Sequence, residues 1–347
     1  MSLEYAIVDV FTTTQFQGNP LAIVRVPAQQ RTSLLQETKQ KIATEFNLSE
    51  TVFLHEPQSN DLSSAESVII DIFTPRCEIP FAGHPTIGTA YYVLKQYSAT
   101  GLSSLKRLLT KAGPIPISQD TKTGLVGACI PFAYHQHWGL VQSSLTITGS
   151  APVISIVKGL SFVLAQLPGL EALATVSGAL LDDCFTSDHL DEGWNMGPTG
   201  TKYFVDLGRD EQGYRKLRTR MFIGWEDPGT GSASSALACY LALCESKELG
   251  KGPFDYHIIQ GVEMGRRNDI YITVSRNEGG DQIANVLLRA KASVSGHWID
   301  IDPDSYLKYQ LSLKAADILV LYHDLKLDHG KEQRMTQRFD CECSAPA

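Results

Sequence analysis

The apolar positions of the chain switch repeatedly between a strand rhythm and a helix rhythm. Tyr5 to Phe11 is a run of strand formers, and Gly18-Asn19-Pro20 turns the chain into a second run, Leu21-Ala22-Ile23-Val24. From about Ser33 to Phe46 the spacing becomes helical, with Leu35, Ile42 and Phe46 on one stripe. Asn47-Leu48-Ser49-Glu50-Thr51 breaks that helix and leads into a short strand, Val52 to Leu54. A further strand, Ser67 to Phe73, ends near Pro75. Pro80 to Thr86 then opens a helix in which Ile87, Ala90, Tyr91 and Leu94 share a stripe. Pro85 suits the first turn of that helix, where an N–H would have no partner anyway.

The second half repeats this order. Gly159 to Leu164 matches the strand after the first turn, Leu170 to Ala174 reads as a helix, and Tyr203 to Asp206 and Arg218 to Ile223 read as strands. Glu226 to Ala233 then opens a helix that is apolar nearly all round, which predicts burial at the centre of its half. Gly18 and His84 lie 66 residues apart, Gly159 and Gly231 72 apart. Strand–helix alternation is common among α/β chains, but the near-equal spacing favours a duplication with a cleft between the copies. The expected division is residues 1–125, with a central helix at about 84–97, and residues 126–325, with a central helix at about 231–246. The stretch from about Thr100 to Ser150 is expected to hold the linker and at least one strand. The polar tail, 326–347, is expected to be loosely ordered.

At 347 residues, 43% hydrophobic and 20% charged, the chain falls with globular proteins of about two domains. A net charge of -8 without a basic stripe argues against nucleic acid as a partner. Seven cysteines lie scattered, without zinc-type spacing or a disulfide framework, as in a reduced cytoplasmic protein. Cys341 and Cys343 read as part of a solvated end. The N-terminal residues lack the basic start and apolar block of a signal peptide, and no apolar run is long enough to span a bilayer. The expectation is a soluble cytoplasmic protein with no membrane partner.

Candidate chemistry sits at the two Gly-containing helix starts. A helix N-terminus presents unpaired N–H groups and partial positive charge, and glycine lets a ligand approach the backbone. Gly83-His84-Pro85-Thr86 and Gly229-Thr230-Gly231-Ser232 are therefore both candidate seats for a carboxylate or enolate oxygen. One such start alone reads as an ordinary capped helix; two in matching places of a repeat favour a shared site. The second is not a phosphate-binding loop, because no Gly-Lys-Ser/Thr completes it. No G-x-G-x-x-G follows the first strand, which argues against a nicotinamide dehydrogenase.

Six blocks carry a family resemblance: VDVFT (Val8 to Thr12), FQGNPLAIV (Phe16 to Val24), NLSET (Asn47 to Thr51), PFAGHPTIG (Pro80 to Gly88), EDPGTGSA (Glu226 to Ala233) and QGVEMGR (Gln260 to Arg266). With these the chain resembles the PhzF-like family of phenazine-biosynthesis isomerases, related in fold to diaminopimelate epimerase. The resemblance implies an α+β fold of two pseudo-symmetric halves, each a curved sheet wrapped around a central helix, with the site between them. It also implies a cofactor-independent isomerase or epimerase that moves a proton between carbons of a small carboxylated, amino-acid-like substrate. The family's residue types stand at Glu50 (acid/base), His84, Asp227 and Ser232. Asn19, Gly83, Thr230 and Gly231 are the expected substrate contacts, and a homodimer is the expected assembly.

Three departures stand out. Gly229 takes the place of the usual Ala, a change expected only to loosen the turn. Arg267-Asn268 stands where Pro-Ser usually follows Gly-Arg, and Leu288-Arg289-Ala290 stands for a Val-Gly-Gly block; both are expected to bear on substrate fit or a dimer surface.

Each residue also has a plainer reading. Glu50 alone is a solvated turn residue, His84 a capping or packing histidine, Asp227 a partner of the helix dipole and Ser232 a cap. For Glu50 the family block around it reverses these odds. Glu50, between Leu48 and an apolar strand, is expected to reach a near-neutral pKa by burial. Asp227 is expected either to orient His84 or to hold a substrate amine. Cys77 and Cys239 lie away from the helix starts, which disfavours a two-thiol epimerase. His135 and His137, two apart with no third ligand nearby, read as non-metal, and no metal is expected. A catalytically idle binding or scaffold protein is the alternative.

Overall fold

The structure, a computed structural model, describes residues 3–57, 65–96, 105–141, 147–180, 190–197 and 199–298. The expected tail at 326–347, Cys184, Cys341 and Cys343 lie outside the described residues. No helix among the described residues is long and apolar enough to cross a membrane.

The first half runs β1 (Tyr5–Val10), β2 (Asn19–Val26), α1 (Gln36–Phe46), β3 (Thr51–His55), β4 (Ser67–Phe73), the two-residue β5 (Glu78–Ile79), α2 (Gly83–Gln96), β6 (Arg107–Thr110), β7 (Gly113–Gln119), β8 (Val126–Cys129) and β9 (His135–Val141). The second runs β10 (Ala151–Val157), β11 (Leu160–Gln166), α3 (Leu170–Thr175), β12 (Thr199–Arg209), β13 (Arg215–Phe222), α4 (Gly231–Cys244), β14 (Phe254–Gln260), β15 (Asn268–Arg276), β16 (Ile283–Ala290) and β17 (Ala292–Trp298). Between Thr100 and Ser150, where a linker and at least one strand were expected, the described residues hold four strands. These strands, β6 to β9, are integral to the sheets.

Strand pairing exposes the duplication. From β1 through β4 and β6 to β8, successive pairs are antiparallel, parallel, antiparallel, parallel, antiparallel, antiparallel. From β10 to β16 the order is the same. The copies interlock. β9 pairs with β10, β17 pairs with β1, and β8 pairs antiparallel with β16, with Ala128 opposite Leu288. Ala128 also faces Ile117 on β7, as Leu288 faces Ile272 on β15, so the pseudo-twofold axis passes through the Ala128–Leu288 pair.

Each half wraps a helix: α2 packs on β1, β2, β7 and β8, and α4 on β10, β11, β15 and β16. Burial of α4 is complete from Gly231 to Cys239, which small Gly, Ala and Ser side chains make possible. The two helices meet head to head. A Cβ on Gly83 would lie 3.2 Å from the Gly231 Cα, and one on Gly231 would lie 3.3 Å from the Gly83 Cα, with Leu288 Cδ2 beside both. Glycine at both first positions lets the two N-termini share one place.

The helix expected from about Ser33 begins at Gln36 instead, with Leu35 exposed at its cap. Its buried face centres on Lys39 and Ala43. Lys39 can be buried because its Nζ reaches Asp71 on β4 at 2.5 Å, and Asp71 also meets His55 on β3 at 2.8 Å.

Candidate active site

Backbone geometry aims Glu50 at the head of α2. Asn47 ends α1 in the left-handed region (φ 50°, ψ 30°), where asparagine is tolerated. Leu48, Ser49 and Glu50 then lead into β3. Glu50 Oε2 lies 2.9 Å from His84 Nδ1 on the first turn of α2. His84 is 3% exposed, and its Nε2 is buried without a partner among the described residues. An Nδ1–H donated to Glu50 fixes the ring so that Nε2 is the atom left open to a ligand. The Phe11 ring, 6.5 Å away, walls this histidine.

Asp227 comes from the other half, on the turn before α4. That turn is clamped from behind by Arg220, which grips Glu226 through two bonds of 2.7 Å and donates to the carbonyls of Leu173, Ala174 and Val176 at the end of α3. Asp227 Oδ1 accepts from Asn19 Nδ2 at 3.1 Å and from the Gly229 N–H at 3.2 Å; Oδ2 accepts from Thr230 Oγ1 at 2.5 Å. Asn19 Nδ2 also donates to the Gly229 carbonyl at 3.0 Å. Thr230 is the N-cap of α4, but its hydroxyl turns to Asp227 and no side chain caps the helix start. Ser232, buried, follows as the second residue of the helix.

The two carboxyls are pushed apart in acidity. Burial raises Glu50, but the charge and hydrogen bond of His84 and a hydrogen bond from Ser49 outweigh it and leave the carboxyl below its ordinary value. Asp227 is held above its ordinary value by burial and by the charge of Glu50, against the pull of Thr230, His84 and the Gly229 N–H. Such a split is how one site keeps two carboxyls in different roles. It differs from the expectation that burial alone brings Glu50 near neutrality: His84 and Ser49 hold the carboxyl below its ordinary value.

A scan against protein families matches residues 8–297 to the family described as phenazine biosynthesis-like protein. The chain belongs to this family. It is 32% identical over 302 residues to an uncharacterised isomerase of Pasteurella multocida, covering 81% of this chain and 91% of that protein. It is also 32% identical over 297 residues to the trans-2,3-dihydro-3-hydroxyanthranilate isomerase of Pseudomonas aeruginosa, covering 81% and 93%. The crystal structure of the Bacillus anthracis phenazine biosynthesis protein of the PhzF family superposes with a TM-score of 0.65 at 21% identity, over 86% of this chain and 99% of that one. The chain is thus a PhzF-like isomerase with the epimerase-type double fold.

The structure brings Glu50, His84, Asp227, Ser232, Gly83, Thr230 and Gly231 to one place. Asp227 makes no bond to His84, whose Nδ1 is taken by Glu50, so the expected orienting role passes to Glu50. Asn19 spends its amide hydrogens on Asp227 and Gly229, bracing one half against the other.

Two of the departures from the family pattern turn out to be one. Asn268 donates to the Pro228 and Arg266 carbonyls at 2.6 and 2.7 Å, and its Oδ1 would lie 2.3 Å from a Cβ on residue 229. Gly229 makes room for Asn268 rather than merely loosening the turn. Arg289 donates to Asp255 and Thr273, on neighbouring strands.

His135 and His137 do have a carboxylate beside them, contrary to the sequence reading. Asp191 lies 2.7 Å from His135 Nε2. His137 nevertheless commits both ring nitrogens, accepting from the Asp191 N–H at 3.0 Å and meeting Ser155 Oγ at 2.8 Å. His135 lies flat on Trp194, ring centroids 4.5 Å apart. This trio is a hydrogen-bonded brace. A cavity of about 590 Å³ lies behind the Glu226 turn, but the Arg220 lining it is fully engaged as described above.

Sequence reasoning missed Lys202 and singled out Gln260 only as the first residue of a matching block. Both lie beneath the Asp227 turn. The one available signal was a lysine at the middle of the apolar run Thr201-Lys202-Tyr203-Phe204-Val205.

Proposed function

We propose that this PhzF-like isomerase moves a proton between carbons of a small amino-acid-like carboxylate, without a cofactor, with Glu50 as the proton carrier. The observation that carries this reading is the Glu50–His84 pair, 2.9 Å apart, facing two helix N-termini that meet at Gly83 and Gly231.

The uncapped amides of α4 and the first turn of α2 suit the substrate carboxylate and the negative charge that develops next to it. Asp227, raised in pKa yet braced by three donors, suits the substrate ammonium. Ser232 adds a hydroxyl at the anion seat. Glu50 then accepts the proton of an acidic C–H, and the electron pair left behind spreads into the adjacent unsaturation. The protonated Glu50 returns the same proton to another carbon, so atoms and charge balance. Substrate entry displaces water from Glu50, which strengthens the resting anion as a base. His84 steadies the carboxylate through Nδ1 and offers Nε2 to the substrate. Action as a homodimer in the cytoplasm belongs to the same proposal, and light scattering tests the dimer.

The experiment is carbon-bound deuterium uptake in heavy water, followed by NMR, with trans-2,3-dihydro-3-hydroxyanthranilate first among a panel of unsaturated amino and carboxylic acids. Uptake that vanishes in Glu50→Gln supports the reading. Full turnover by Glu50→Gln would sink it.

A further inference from the structure

Beneath the Asp227 turn lies a buried cation that the scheme above does not use. Lys202, in β12, is 0% exposed. Its Nζ donates to Ser234 Oγ on α4 at 2.8 Å and to Gln260 Oε1 at the end of β14. Gln260 Nε2 donates to Thr230 Oγ1 at 3.1 Å and to the Asp227 carbonyl at 2.6 Å. Thr230 Oγ1 donates to Asp227 Oδ2 at 2.5 Å.

Every link in this path is fixed in direction. The Asp227 carbonyl can only accept, so the Gln260 atom facing it is the amide nitrogen. Gln260 Oε1 then faces two donors, Lys202 Nζ and the Thr230 N–H at 3.2 Å. Thr230 Oγ1 receives a hydrogen from Gln260, and its own hydrogen goes to the carboxylate. The chain therefore runs one way, from ammonium to amide to hydroxyl to carboxylate. Bonds aligned in this sense polarise one another, more so at low dielectric.

We infer that Lys202 is a positioning residue that keeps Asp227 ionised and aimed, acting through Gln260 and Thr230; its value to catalysis rests on the reading of Asp227 given above. Opposing demands meet at Asp227. Burial and Glu50 favour its neutral form, which would not hold a substrate ammonium. His84 supports the anion from the cleft side, and the hydrogen-bond chain that starts at Lys202 reaches it from behind through Gln260 and Thr230. Ser234 and Gln260, which contact Lys202, are neutral, so Asp227 is the charge that answers it. Burial pushes the Lys202 ammonium down to about 7, against the pull of Asp227, so the cation is fully held only below that pH.

The test reads the Asp227 carboxyl directly, by carbon-13 NMR titration of the resting protein, with the signal assigned through Asp227→Asn. Lys202→Met and Gln260→Met are compared with the unmodified chain, with melting temperatures as a check on folding. Lys202→Met is expected to raise the Asp227 pKa by about one unit, which moves the acidic limb of kcat/KM upward and lowers the rate about tenfold on that limb. Gln260→Met, which keeps the lysine but cuts the chain, is expected to shift the pKa in the same direction. The double variant should then shift it no further than the larger single change. An unshifted Asp227 in folded Lys202→Met would overturn the inference. Should Lys202→Met fail to fold, an unshifted Asp227 in Gln260→Met would do the same. If the carboxyl shifts while no panel compound exchanges deuterium, the positioning inference stands and the catalytic reading of the site fails instead.

Discussion

Placing alanine at position 229 tests whether Gly229 and Asn268 form one unit. The new Cβ would fall 2.3 Å from Asn268 Oδ1, 2.7 Å from its Cγ and 3.1 Å from Phe11 Cδ2. The first two distances are below any real contact, so the Asn268 amide must leave. It then loses its bonds to the Pro228 and Arg266 carbonyls. Two such bonds contribute about 1 kcal/mol each, and carbonyls left part-buried without donors add to the loss, for roughly 2–3 kcal/mol in all. Stiffening of the unfolded chain by alanine returns about 0.4–1 kcal/mol. The expected net loss is roughly 1–2 kcal/mol, a fall in Tm of roughly 1–3 °C at this chain size. The catalytic effect should be larger than the thermal one suggests, because Asp227 and Thr230 sit on the same turn.

Asn268→Ser alone should cost a similar amount by removing the same two bonds. In the double variant the alanine methyl occupies space the shorter serine has vacated, so the two losses should not add. The expected coupling is about 1–2 kcal/mol in favour of the pair. Thermal or urea unfolding of the four proteins, together with kcat/KM, reads the cycle. Losses that add to within about 0.5 kcal/mol would refute the argument that one side chain fills the other's space.

Three further outcomes follow from the same geometry. Gly231→Ala brings a Cβ to 3.0 Å from Leu288 Cδ2 and 3.3 Å from the Gly83 Cα; the helix starts must part by a few tenths of an ångström, so affinity for a substrate carboxylate should fall more than Tm, and an equal KM would count against a shared anion seat. Asp227→Asn relieves a buried carboxyl whose folded pKa is raised, but it leaves Lys202 without its answering charge and puts an amide where Asn19 and Thr230 donate; the variant should be inactive and no more stable at neutral pH, with retained turnover as the contrary result. Asp71, drawn down to about 2 by hydrogen bonds and charges of His55 and Lys39 that overcome burial, contributes roughly 2 kcal/mol above its unfolded pKa, lost as pH falls from about 4 toward 2. Asp71→Asn should therefore lose stability at neutral pH by roughly 3 kcal/mol, because Lys39 stays buried and unpaired, and its acid unfolding should be flatter; an unchanged acid slope would contradict this.

Much of the site was legible because its chemistry sits in contiguous blocks. Glu50 lies in one, His84 in a second and Asp227 with Thr230 in a third, so reading the blocks amounted to reading the cleft. The strands between Arg107 and Val141 were less legible. β7 carries Pro114 and Pro116, which argue against a strand. Both prolines are exposed while Ile115 and Ile117 point inward, so the strand forms despite them. β8 and β9 find partners more than a hundred and about fifteen residues away, respectively, in the other half. Lys39 and Lys202 are the clearest failures of the local reading. A lysine signals the surface unless a distant partner accepts from its ammonium, and Asp71 and Gln260 lie 32 and 58 residues off.

The duplication itself argues for a single carrier of the proton. The frame is symmetric: the same strand order, the same central helices, and glycines meeting across the pseudo-twofold. The chemistry placed on it is not. His84 follows Gly83 where Ser232 follows Gly231, and the two carboxyls come from non-equivalent positions, Glu50 ahead of β3 and Asp227 ahead of α4. Two equivalent bases facing each other would suit removal of a proton on one side of a carbon and delivery on the other. Here the halves have divided the work. One contributes an anion paired with a histidine, the other an anion braced by amides, a hydroxyl and a buried ammonium. With Glu50 as the proposed carrier, the proton has no equal partner to receive it, so its return to another carbon of the same molecule is the step this arrangement favours.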